Sequence, residues 1–517
     1  MWISDPARYG LCSLLCLATP AFAEKPLSAI DWLSQSVTTP VGLPVPPALV
    51  PPPEPGVSTG ALPENITVQS IDGPSVDAVG LLPVSVTGLP RDLWGATPTA
   101  DLVALLMAEQ LDALPAIRRL IYTLLLAEVD PPIDSDARGQ LFLARVDRLL
   151  DMGALDQAKA MLEQVGSDQP ETFRRWFDVS LLLGDEDQAC RTMRAMPNVA
   201  PTFPARIFCL NLGGDWNAAA VTLQTARALG YITAEEDALL SRFLDPELFE
   251  AEPPLPQPSR PSPLVWRMME AIGQPMATNP LPLAFAQGDL RSTTGWKAQI
   301  EAAERLTRSG ALPPNRLQGL YDNGKPAASG GVWDRVAAMQ VFDRALQAGD
   351  VARLAEKLPV IWRQMAEVEL ETAFAELYGE NLAKLPLAGS AGALAFRIGL
   401  LSPAYETVAL ARTPATSDEG FLIGLAKGDL AGATPPDGLG AAIRDGWQAN
   451  ALPPDYVALI EAGKLGEAIL RATALITEGA KGNLGSISEG LAVLRAVGLE
   501  ETARRTALEL MLLERRG

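Results

Sequence analysis

The chain has 517 residues, 42 Lys+Arg against 62 Asp+Glu for a net charge of −20, 44 Pro, 43 Gly, 4 Cys and no His. The missing histidine excludes Ser-His-Asp and Cys-His nucleophilic sites, imidazole proton relays and His-ligated metals. The acidic balance argues against a nucleic-acid partner, whose phosphates need clustered Lys and Arg, and the length is ample for a large buried core.

The first 23 residues read as an export signal. Arg8 supplies the positive region, Leu11–Leu17 the apolar run, and Ala21-Phe22-Ala23 the small residues before a cleavage near Ala23. Cys12 and Cys16 follow bulky leucines, which argues against a lipid anchor. No later stretch reaches the roughly 20 uncharged apolar residues of a membrane span, since Ile117–Val129 is broken by Arg118 and Arg119. The expected location is periplasmic or secreted.

Residues 24–39 predict a short amphipathic helix. Ser28 and Asp31 resemble a capping box. Leu27, Ile30, Leu33 and Val37 fall on one apolar stripe, and Trp32 lies off it as a second anchor. These five are the expected partner-binding residues, docking either on a partner or back on the chain's own helices. Residues 40–63 carry nine prolines and form an extended linker. Residues 64–96 form an extended arm or a small hairpin, with Asn65–Ile71 and Val76–Leu82 as its β-branched stretches.

From Thr97 onward the pattern is helical. Thr97-Pro98 and Ser262-Pro263 read as N-caps followed by proline at the first helical position, and Thr233 with Glu236 as a capping box. The Pro-rich stretch 251–263 divides lobe 1 (97–250) from lobe 2 (264–517). Inside the lobes one spacing recurs. Gly153, Gly184 and Gly214 in the first, and Gly428, Gly463 and Gly498 in the second, each precede an alanine by five residues. A glycine closing one helix in a left-handed cap and an alanine admitting the next helix closely explain the pairing. The spacing of about 30 to 35 residues is that of an α-solenoid. A second echo joins Ala311-Leu312-Pro313-Pro314 with Ala451-Leu452-Pro453-Pro454, each followed by Gly-Lys.

Segments such as Leu149-Leu150-Asp151-Met152-Gly153-Ala154-Leu155-Asp156-Gln157-Ala158 resemble the mid-repeat turn of tetratricopeptide-type repeats. The early Trp, the Leu-Gly pair and the closing Pro of that family do not recur in register. The resemblance implies a right-handed helical-repeat solenoid whose concave face, built by the first helices of successive units, binds protein partners.

Catalytic motifs are wanting. Gly319–Pro326 has the glycine and lysine spacing of a phosphate loop, but Pro326 stands where Ser or Thr would hold magnesium. No Gly-x-Ser-x-Gly or Ser-x-x-Lys occurs. Glu367, Glu369, Glu371 and Glu376 crowd one stretch, and carboxylates alone suffice for glycan cleavage. A lytic transglycosylase would carry Glu-Ser, which is absent. Trp176, Trp216, Trp266, Trp296, Trp333, Trp362 and Trp447 are expected to fill helix seams.

The expectation is therefore an all-α, two-lobed right-handed helical-repeat solenoid behind a Pro-rich arm. Its function would be that of a non-catalytic scaffold for envelope proteins, without cofactor, metal or nucleic acid. The alternative is a carboxylate-based enzyme or accessory factor acting on peptidoglycan. Cys190 and Cys209, the sole cysteines past the signal, are expected to form a disulfide between antiparallel helices, two packed thiols being the alternative.

Overall fold

The computed structural model describes residues 75–136, 138–166 and 168–513. The signal-like segment, the helix carrying Leu27, Ile30, Trp32, Leu33 and Val37, and the linker 40–63 lie outside them. The described residues are all-helical, and their only β pairing is a single bridge between Leu82 and Ala127. Val76–Leu82 forms a 3-10 turn followed by that bridge and pairs with no second strand among the described residues.

The glycine–alanine spacing has a direct structural counterpart. Gly153, Gly184, Gly214, Gly428, Gly463 and Gly498 all have φ between 70° and 85°, where a Cβ is disfavoured. Each ends a helix and reverses the chain. The alanine after each turn (Ala158, Ala189, Ala219, Ala468, Ala503) is wholly buried, and Ala433 is half-buried. Thr233 and Glu236 form the reciprocal capping box, and Ser262 caps the helix Pro263–Ala271. Thr97 departs from expectation. The helix begins at Thr99, and its first amide donates to the carboxylate of Asp134, a cap supplied from 35 residues away. The Pro-Pro echo also has a counterpart. Pro314–Tyr321 and Pro454–Glu461 are eight-residue helices, and the next helix in each case, Val332–Gln347 and Leu465–Ala480, has sixteen residues.

Consecutive helices pack on their neighbours through much of the chain, and the buried side chains from Leu89 to Leu513 form one apolar cluster. Long-range contacts then tie distant parts together. Beyond the Pro-rich stretch 251–263, the helix Pro263–Ala271 packs on Pro170–Leu183, and Arg267 pairs with Glu186 at 2.6 Å. The turn after Gln140–Asp151 receives Gln287 Nε2 on the Gly153 carbonyl (2.7 Å) and Ser309 Oγ on the Met152 carbonyl (3.0 Å).

The two ends of the described chain meet. The last helix, Glu500–Leu512, lies on Pro115–Leu126, and Glu509 Oε2 accepts from the Ala116 amide at 2.9 Å. Gly466 N donates to Leu93 O at 2.8 Å. Trp94, fully buried, lies on Gly466, where a Cβ would stand 2.5 Å from the indole. Glu109 in the same seam accepts from Thr473 Oγ1 at 2.8 Å.

Candidate functional site

The unit from Glu186 to Leu244 holds the cysteine pair and an unusual outer helix. Cys190 lies in Glu186–Ala195 and Cys209 in Phe203–Leu212, with a 3-10 turn at Pro197–Val199 between them. Their sulfurs stand at disulfide distance with Cα atoms 4.9 Å apart, and both residues are buried. Phe203 stacks on Tyr231 with centroids 5.1 Å apart, and Phe208 on Phe243 at 5.3 Å. These contacts fix the pair Trp216–Leu229 and Ala234–Leu244 against the cysteine-bearing helices.

Trp216–Leu229 buries only Ala219, Leu223 and Ala226, at the three- and four-residue spacing of one helix face. Its outward face comprises Asn217, Val221, Gln224, Thr225 and Ala228, all without charge. Val221 is 67% exposed, Leu229 60% and Trp216 48%. The helix's one charged side chain, Arg227, is held on Asp237 at 2.5 Å. In a chain where one residue in five is charged, an uncharged exposed helix face is a contact surface lacking solubilising groups.

Trp216 corrects the expectation that the tryptophans fill seams. Trp176, Trp266 and Trp447 are buried, whereas Trp216 anchors only its Nε1 to the Leu244 carbonyl (2.9 Å) and leaves half its surface in solvent. The helical register gave no signal of this. Trp216 stands three and seven residues before Ala219 and Leu223, on the same helix face, but as the first residue after the capping Asp215. Trp94, the most buried tryptophan among the described residues, carries no local sequence signal, because its partner Gly466 lies far along the chain.

The glutamates do not share a helix face. Glu367 ends Val351–Ala366, Glu369 turns the backbone with φ 56°, and Glu371 is buried at the start of the next helix. Glu376 pairs with Arg119 at 3.5 Å. Gly319 lies inside the helix Pro314–Tyr321, so Gly319–Pro326 does not form a phosphate-cradling loop. No group of three or more Asp, Glu or Cys among the described residues is arranged to hold a metal. No described helix is long and apolar enough to cross a membrane.

Two buried carboxyls are strongly perturbed. Burial pushes Glu109 up to about 7 against the opposing pull of Thr473 and Arg148. Burial likewise raises Asp178 to about 7, opposed by Arg174 and Arg175. Both stand among packed helices.

Comparison with protein-family models, curated proteins and solved structures finds no match for this chain.

Proposed function

We propose that this protein is an exported, non-catalytic adaptor that binds other envelope proteins through its helical surface. Its helices would be a degenerate tetratricopeptide-like solenoid bent until its ends meet. The observation that carries this reading is the uncharged, exposed face of Trp216–Leu229, held on a cysteine-braced unit. Export accords with the signal-like first 23 residues and with a cysteine pair suited to an oxidising compartment. The predicted helix with Leu27, Ile30, Trp32, Leu33 and Val37 would act as a second, tethered contact on a Pro-rich linker.

Crosslinking in isolated envelopes tests the reading. The wild type should capture a defined set of proteins. Val221→Glu combined with Leu229→Glu should reduce that capture at least fivefold with the melting temperature unchanged, both positions being exposed. Deleting residues 24–63 should weaken capture further and leave the melting temperature in place. Undiminished capture by the double variant, or release of fragments from purified peptidoglycan, would overturn the adaptor reading.

A further inference from the structure

The outward face of Trp216–Leu229 has a regular spacing. Asn217, Val221, Gln224 and Ala228 follow one another at intervals of four, three and four residues, the spacing of a helix–helix seam. The stripe runs for roughly 16 Å at 1.5 Å per residue. All four side chains are exposed, and Thr225 and Leu229 border them. Ridges at this spacing accept the side chains of another helix.

The charge around the stripe is one-sided. Residues 213–252 hold eight Asp or Glu against two Arg. Arg227 is held by Asp237 and Arg242 by Glu252. Neither is left for Asp215, Glu235, Glu236, Asp245, Glu247 or Glu250, and none of these six is buried. Four of them gather at one end of the stripe. Trp216 Nε1 donates to the Leu244 carbonyl, which brings Asp245 and the 3-10 turn Glu247–Phe249 beside the indole, and Asp215 precedes it in the chain. The other neighbour of the stripe, Phe203–Leu212, adds a single cation, Arg206, and Arg194 is turned onto the Cys209 carbonyl.

We infer, resting on the adaptor reading, that the occupant of this face is a basic amphipathic helix of a partner protein. Its apolar stripe lies on Val221 and Leu229, and its Lys or Arg side chains turn to the carboxylates at the Trp216 end. A cation there also lies over the half-exposed indole and gains a cation–π contact. Charge complementarity decides against the other occupants. A second copy would bring the same acids to the same face, in a chain of net charge −20. The predicted helix at residues 24–39 carries Glu24, Lys25 and Asp31 and has no basic flank to offer.

Fluorescence anisotropy of labelled 18-residue peptides on the purified protein tests the assignment. The lysine probe carries Leu and Ala on one helical stripe flanked by Lys. Its two companions replace every Lys by Glu, or keep the composition in an order that scatters the stripe. The lysine probe should bind at one site per chain, at least tenfold tighter than either companion, and weaken as salt rises. Val221→Gln with Leu229→Gln should weaken it at least fivefold. Glu247→Gln with Glu250→Gln should do the same and flatten the salt dependence. All four positions are exposed, so both double variants stay folded. Equal binding of a companion probe, no binding of the lysine probe, or affinity unchanged in either double variant would overturn the assignment. A peptide of residues 24–39 binding more tightly than the lysine probe would give the face to the chain's own helix. Self-association abolished by Val221→Gln with Leu229→Gln would give it to a second copy, and either result overturns the assignment too. If envelope capture still falls with Val221→Glu and Leu229→Glu in any of these cases, the adaptor reading stands and only the basic helix is withdrawn.

Discussion

Arg145 is fully buried, yet its guanidinium touches carbonyl oxygens from two segments: Leu125 and Ala127 (2.8 and 2.7 Å), and Val79 and Asp77 (2.8 and 3.2 Å). Burial lowers it to about 10, so it remains charged at neutral pH and serves as a backbone clamp. Asp77 completes the arrangement by accepting from the Phe142 amide (2.7 Å) and Ser135 Oγ (2.6 Å). Glu109 is a buried charge of the opposite kind, with Oε2 unpartnered. The native state holds its proton up to about 7, while the unfolded chain releases it near 4.5. Between those values the native state binds more protons, so stability falls as pH rises through that window. The expected loss is of order 1 to 3 kcal/mol for such a shift. Glu109→Gln removes the titration, so melts at pH 5 and pH 8 should differ less for the variant than for the wild type. An equal difference would show that other groups set the slope. The cysteines give a simpler readout. Denatured, unreduced protein should present no thiol at Cys190 or Cys209, and two free thiols there would deny the bridge.

Helix ends carry most of the information at the scale of elements. Gly184 and Gly319 have opposite roles although both precede a polar residue by a short interval. Gly184 closes Pro170–Leu183 at φ 83°, so Ala there costs about 1 kcal/mol or more in backbone strain. Gly319 lies within Pro314–Tyr321 with open space around its Cβ direction, so Ala there should stabilise by about 0.5 to 1 kcal/mol. Denaturant midpoints of Gly184→Ala and Gly319→Ala should therefore move in opposite directions. A loss at Gly319 would mean that the residue serves a loop function after all. The uncharged face of Trp216–Leu229 belongs to this scale too. Its three buried positions follow from the register, but its exposure follows from where the neighbouring helices stop.

Over the whole molecule, the decisive feature is the seam between the ends. Repeats that touch only their neighbours melt as a sum of local terms, whereas a closed path couples first and last helices. Trp94 sits in that seam with Gly466, and Glu509 caps the helix Pro115–Leu126 from the far end of the sequence. Trp94→Ala should cost about 3 to 5 kcal/mol, the usual range for a buried Trp. Hydrogen exchange should then accelerate together in Thr99–Ala108 and Leu465–Ala480, which pack on each other. Acceleration confined to the first of these would show that the seam is not cooperative.

The sequence by itself determined the helical class, the six glycine-closed turns, the buried alanine after five of them, the caps at Ser262 and Thr233, and the Cys190–Cys209 proximity. All of these rest on interactions within one helix, one turn or two adjacent helices, where residue type and spacing already state the geometry. Tertiary structure alone decided the cap on Thr99 by Asp134, the burial of Trp94, the break at Glu369 and the cavity around Tyr122. Each of the seam and cavity contacts joins residues separated by tens to hundreds of positions. Such pairings depend on which helices meet after the chain has turned many times, and no local pattern of polar and apolar residues encodes that meeting. For the same reason Arg118 and Arg119 mark only an interrupted apolar run in the sequence. Packing buries one beside Tyr122 and pairs the other with Glu376.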